Sequence, residues 1–81
     1  MEQEICTRIT VEQCHLCWEV VLWYTDVASG EVFTTADDAF PTKREAISQA
    51  RSDFNDNPTA TSLSVGMAWD FGRQRKVLRS R

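Results

Sequence analysis

Three glycines and two prolines in 81 residues leave little material for long flexible loops. None of the glycine patterns that cradle phosphate, G-x-x-x-x-G-K-[ST] or G-x-G-x-x-G, is present, and neither is the nucleophile elbow G-x-S-x-G. His15 is the one histidine, so a nucleophile with an imidazole base could be built only around that position. No run approaches the roughly 18 consecutive apolar residues that a membrane-spanning helix needs, since Glu19 interrupts the most apolar stretch, Leu16 to Tyr24. Met1 to Glu12 mixes acids with isolated apolar residues and lacks the basic segment and apolar run of a secretory signal. The three cysteines, Cys6, Cys14 and Cys17, cannot all pair within one chain. Together these absences lead us to expect reduced thiols, a cytoplasmic setting and no membrane association.

What the chain does have is bulk. Three Trp, four Phe and one Tyr sit in a composition 42% apolar and 26% charged, that of a globular chain rather than a disordered one. A chain of this length buries only about 60–65% of its unfolded surface, so the core must be small and aromatic-rich. Charge is unevenly spread. Four cations oppose twelve acids in residues 1–72, a net −8, whereas residues 73–81 hold five cations and no acid. We therefore expect a single domain over residues 1–72 and a basic tail or edge strand over 73–81.

Periodicity supplies the elements. Ile5, Thr7, Ile9 and Val11 alternate with Cys6, Arg8, Thr10 and Glu12, a half-buried strand. After a turn at Gln13 to His15, Leu16, Trp18, Val20, Leu22 and Tyr24 form the core face of a second strand, with Val21 and Trp23 on the other face. Gly30 in Ala28-Ser29-Gly30 suits the positive φ of a hairpin connection, returning the chain as a third strand over Glu31 to Ala36. A polar loop at Asp37-Asp38 follows, and Thr42 and Glu45 then have the T-x-x-E spacing of a helix-capping box. Ala46, Ile47, Ala50 and Phe54 make the apolar stripe of that helix, and Pro58 follows its end. Leu63, Val65, Met67, Trp69 and Phe71 alternate with small residues as a fourth strand, and Lys76-Val77-Leu78 suits a short edge strand. The expected fold is α+β: a small antiparallel sheet in the order β-β-β-α-β, with one helix packed on one face.

Chemistry-bearing residues are sparse. Cys14 and Cys17 have the spacing of half a zinc site, but Cys6 would stand about eight extended residues away, roughly 26 Å, in an up-down hairpin. We expect no metal, no cofactor and no enzymatic activity, since Asp37, Asp38 and Asp70 have no spacing that selects a catalytic pair. Val21 and Trp23, on the face opposite the core, form an apolar patch that needs a cover, either the chain's own Val77 and Leu78, a second copy, or a foreign partner. Asp26, Glu31, Asp37 and Asp38 could present carboxylates to a basic groove. The leading expectation is a protein-binding module acting stoichiometrically, with a homodimer possible in principle through the same patch. In size and character alone the chain is similar to phage-encoded antagonists of host defence, including anti-CRISPR inhibitors, which block a larger, nucleic-acid-handling complex. The alternative is nucleic-acid binding through Arg73, Arg75, Lys76, Arg79 and Arg81, which would be strongly salt-dependent, and a more distant one is a small zinc protein using Cys14 and Cys17.

Overall fold

A computed structural model describes residues 3–67 and 76–81, with Cys14, Asp37 and Met67 described by their backbone alone. The elements are β1 (Glu4–Cys14), β2 (Cys17–Asp26), β3 (Val32–Phe40), α1 (Lys43–Asp56), β4 (Ser62–Met67) and β5 (Lys76–Ser80). Among the described residues they form one five-stranded sheet in the order β3-β2-β1-β4-β5, with α1 packed on one face, so the α+β expectation holds and the short C-terminal strand is present. The sheet is not wholly antiparallel. The β1–β2–β3 meander reverses direction twice, α1 reverses it again, and β4 therefore enters beside β1 running the same way. Among the described strands only this central pair is parallel; β5 then returns antiparallel to β4.

The helix-facing side of the sheet carries Ile9 and Val11 from β1, Val20 from β2, and Leu63 and Val65 from β4, closed from above by Ala46, Ala50 and Phe54. Small alanines let α1 sit close to the sheet, while Trp18, Leu22, Tyr24, Phe40, Ile47 and Leu78 pack around the rim. Tyr24 stacks on Phe33 at 5.4 Å between ring centres. Thr42 caps the helix: its Oγ1 accepts from Glu45 N at 3.2 Å and donates to Glu45 Oε2 at 3.1 Å. The capping box is thus half formed, because the carboxylate meets the threonine hydroxyl rather than a backbone N–H.

Three features depart from simple alternation. Cys6 lies opposite Tyr24 and Arg8 opposite Trp23, so Thr7 is a bulge residue and the faces of β1 exchange there. Cys6 consequently joins the core, and Ile5, expected inside, is 38% exposed. The bulge is held from across the fold: Thr61 N donates to Thr7 O at 2.8 Å, and Thr59 Oγ1 to Cys6 O at 2.7 Å. Leu16, expected at the head of a core face, is 96% exposed, because β1 runs on to Cys14 and only His15 and Leu16 make the turn, with His15 at φ 57°. Finally, β3 continues through the expected loop to Phe40. A register shift opposite Glu19 and Val21 absorbs one extra residue between Ala36 and Ala39, where Asp37 and Asp38 stand. Trp69, Phe71 and Asp70 lie outside the described residues.

Candidate interaction surface

The face of the sheet away from α1 carries Arg8, Thr10, Val21, Trp23, Thr34, Ala36, Ser62 and Ser64, as the strand register requires. Val21 and Trp23 are on this face as expected, but they are not an open apolar patch. Val21 is 9% exposed, and Thr10 and Ser64 beside it are also buried. Trp23 is half-buried, and its indole N–H donates to Thr10 Oγ1 at 3.0 Å. The Arg8 guanidinium lies over the ring, 3.9 Å from its centre. Arg8 stands directly opposite Trp23 because the register runs unbroken from Ile9–Leu22, and the bulge at Thr7 falls just beyond it. Sequence alternation places Arg8 beside Thr10 but gives no register between strands, so this contact had no signal in the sequence. Of the two side chains proposed to cover the patch, Val77 is 60% exposed, whereas Leu78 packs against the core on the helix side.

The four acids do not form one cluster. Asp26 Oδ1 accepts from Ala28 N at 2.9 Å, which commits it to the hairpin loop, where Gly30 at φ 75° donates its N–H to Asp26 O at 2.7 Å. Glu31 is exposed at the start of β3, and Asp38 is exposed near its other end, beside Asp37 in the backbone irregularity. Seven residues of extended chain separate Glu31 from Asp38, roughly 23 Å. The acids therefore border an edge strand instead of filling a groove.

Two of the five expected cations, Lys76 and Arg79, are exposed on β5 at the opposite edge. Arg73 and Arg75 lie outside the described residues. Arg81 is engaged: Nη2 donates to Phe54 O at 2.9 Å, and Nη1 to Asn57 O at 3.1 Å and Ala60 O at 2.6 Å. Its guanidinium also lies 3.9 Å over the Phe54 ring. No basic residue occupies the last turn of α1, so Arg81, just past the end of β5, supplies the positive charge that the carbonyl end of the helix favours.

The cysteines stand apart, as the strand lengths imply. The Cys14 and Cys17 backbones are register partners at the end of the β1–β2 hairpin, and Cys6 lies opposite Tyr24 far along β1. Burial pushes the Cys6 thiol up from its ordinary range, while Cys17 is half-buried. Among the described residues no three His, Cys, Asp or Glu side chains come together as metal ligands. Likewise, no described helix is long and apolar enough to cross a membrane. Another cationic surface, unforeseen in sequence, lines a cavity beside α1 formed by Lys43, Arg44, Ile47, Ser48 and Arg51. In comparisons with known proteins no family model matches the chain, and neither a curated protein nor a solved structure matches it.

Proposed function

We propose that the protein is a non-enzymatic binding module that acts stoichiometrically on a protein partner, with inhibition of a larger cytoplasmic, nucleic-acid-handling complex as its role. The supporting observation is β3: an edge strand with one paired side among the described residues, bordered by exposed Glu31 and Asp38. Such an edge offers main-chain groups for pairing, and carboxylates at its ends select a basic partner and disfavour a second acidic one. The half-covered Trp23 face contributes less to this reading than the sequence suggested, because Arg8 and Thr10 already engage the ring.

Affinity capture with the wild type and with a Glu31→Lys/Asp38→Lys variant tests it. A protein captured in near-equal amount by the wild type, retained after nuclease treatment and lost with the variant is the expected result. The exposed Lys76 and Arg79 favour a second reading, nucleic-acid binding. Capture that survives the acid reversal but is lost after nuclease treatment, or with Lys76→Glu/Arg79→Glu, would replace the first reading with the second.

A further inference from the structure

The hydrogen-bond alternation along β3 identifies which of its backbone groups are available. Asp26 N donates to Glu31 O at 2.9 Å, so the Asp26–Glu31 pair is a hydrogen-bonded one. Opposed residues in an antiparallel ladder alternate between hydrogen-bonded and non-hydrogen-bonded pairs. Counting along the register from Asp26–Glu31, the pairs Tyr24–Phe33 and Leu22–Thr35 direct their main-chain groups into the ladder. Val32, Thr34 and Ala36 then turn their N–H and C=O groups outward, and among the described residues no strand receives them. The stretch is smooth. Thr34, Thr35 and Ala36 are small and exposed, and Val32 adds an apolar side chain that is 58% exposed. The free run is bounded by Glu31 before it and by the Asp37–Asp38 irregularity after it.

Resting on the protein-binding reading above, we infer that β3 takes an extended basic peptide segment of its partner as an added strand, paired along Val32 to Ala36. Main-chain bonds to the outward groups supply the affinity, and lysine or arginine near Glu31 and Asp38 supplies the selection. A second copy of this chain fits less well through the same edge, because β3 against β3 would bring Glu31, Asp37 and Asp38 of both copies together. The backbone irregularity at Asp37 and Asp38 limits how far any added strand can run, which sets the recognised segment at a few residues.

The probe is a synthetic peptide of alternating lysine and valine, titrated into the full chain and followed by backbone amide shifts. Three controls accompany it: the glutamate–valine counterpart, a version N-methylated at alternate amides, and the Thr34→Pro variant. Proline at an edge position with an outward N–H leaves the β2–β3 ladder intact, so this variant should keep its circular dichroism and melting temperature close to wild type. We expect one-to-one binding with shifts concentrated at Val32 to Ala36, weakened about tenfold or more by N-methylation and by Thr34→Pro, and no binding of the glutamate peptide. Binding undiminished by N-methylation would show charge attraction without strand addition and overturn the inference. So would an absence of binding, or a mass rising with concentration before any peptide is added, which would assign the edge to a second copy. Should Thr34→Pro fail to fold, the N-methylated peptide on wild-type protein still decides. Failure here with capture still sensitive to Glu31→Lys/Asp38→Lys would leave the protein-binding reading standing.

Discussion

At one edge of the sheet β3 runs from Val32 to Phe40, with exposed Glu31 just before it and exposed Asp38 near its far end, paired with β2 along most of its length. At the other, β5 spans only Lys76–Ser80, carries exposed Lys76 and Arg79, and sends Arg81 back onto the end of α1. The long strand is secured by its ladder. The short one has few ladder bonds, one inward apolar side chain in Leu78, and an irregularity opposite Leu63 and Ser64, so the guanidinium clamp on Phe54, Asn57 and Ala60 carries more of its attachment. The lesson is that a cation-rich stretch need not be a uniform ligand-binding tail: here one cation is committed to the fold and two are presented to solvent.

The largest effect should come from the core beneath that clamp. Phe54→Ala removes a buried ring and the surface on which Arg81 stacks, and should cost about 3–5 kcal/mol, read from the urea midpoint by tryptophan fluorescence. Amide exchange should then rise more in β5 than in β3 relative to wild type. Equal loosening of both edges would show that β5 is secured by its ladder after all.

Arg81→Ala isolates the clamp without opening the core. Three charge-assisted bonds at a partly solvated helix end should together contribute about 1–2 kcal/mol, less than their sum in a dry site. Arg81→Lys should recover under half of this, since one ammonium cannot reproduce a planar fork reaching three carbonyls. Exchange protection should fall in β5 and in the last turn of α1, with β3 unchanged. Full recovery by lysine would reduce the clamp to simple charge at a helix terminus.

Much of this architecture is legible in the sequence because it follows from period and punctuation. Trp18, Val20 and Leu22 alternate without interruption, Thr42 and Glu45 mark the helix start, and Gly30 falls where the hairpin needs positive φ. What is not legible depends on contacts between distant segments. The bulge at Thr7, which brings Cys6 inside and leaves Ile5 outside, is fixed by Thr59 and Thr61, more than fifty residues away along the chain. Strand pairing has the same character: nothing local to β1 says that Arg8 will face Trp23, or that β4 will run parallel beside it. The candidate site inherits that limit. The acids were visible as residue types, but their placement along a strand edge depends on β3 continuing past Ala36, where Asp37 and Asp38 read locally as loop formers.

The smallest perturbation examines the junction beside β3. Thr42 follows Phe40 and Pro41, and its hydroxyl satisfies Glu45 N while meeting the Glu45 carboxylate. Thr42→Ala should cost about 1 kcal/mol, seen as a lower melting temperature, and Thr42→Ser should restore most of it because serine presents the same oxygen. Fraying should be confined to the first turn of α1. If β3 is secured by its own ladder, its exchange rates will stay at wild-type values in Thr42→Ala while those of Ala46 and its neighbours rise. A rise at Phe33 and Thr35, whose N–H groups lie in the ladder, would instead mean that the helix cap holds this edge as Arg81 holds the other, and that the outward groups of β3 are available to a partner only while the cap is intact.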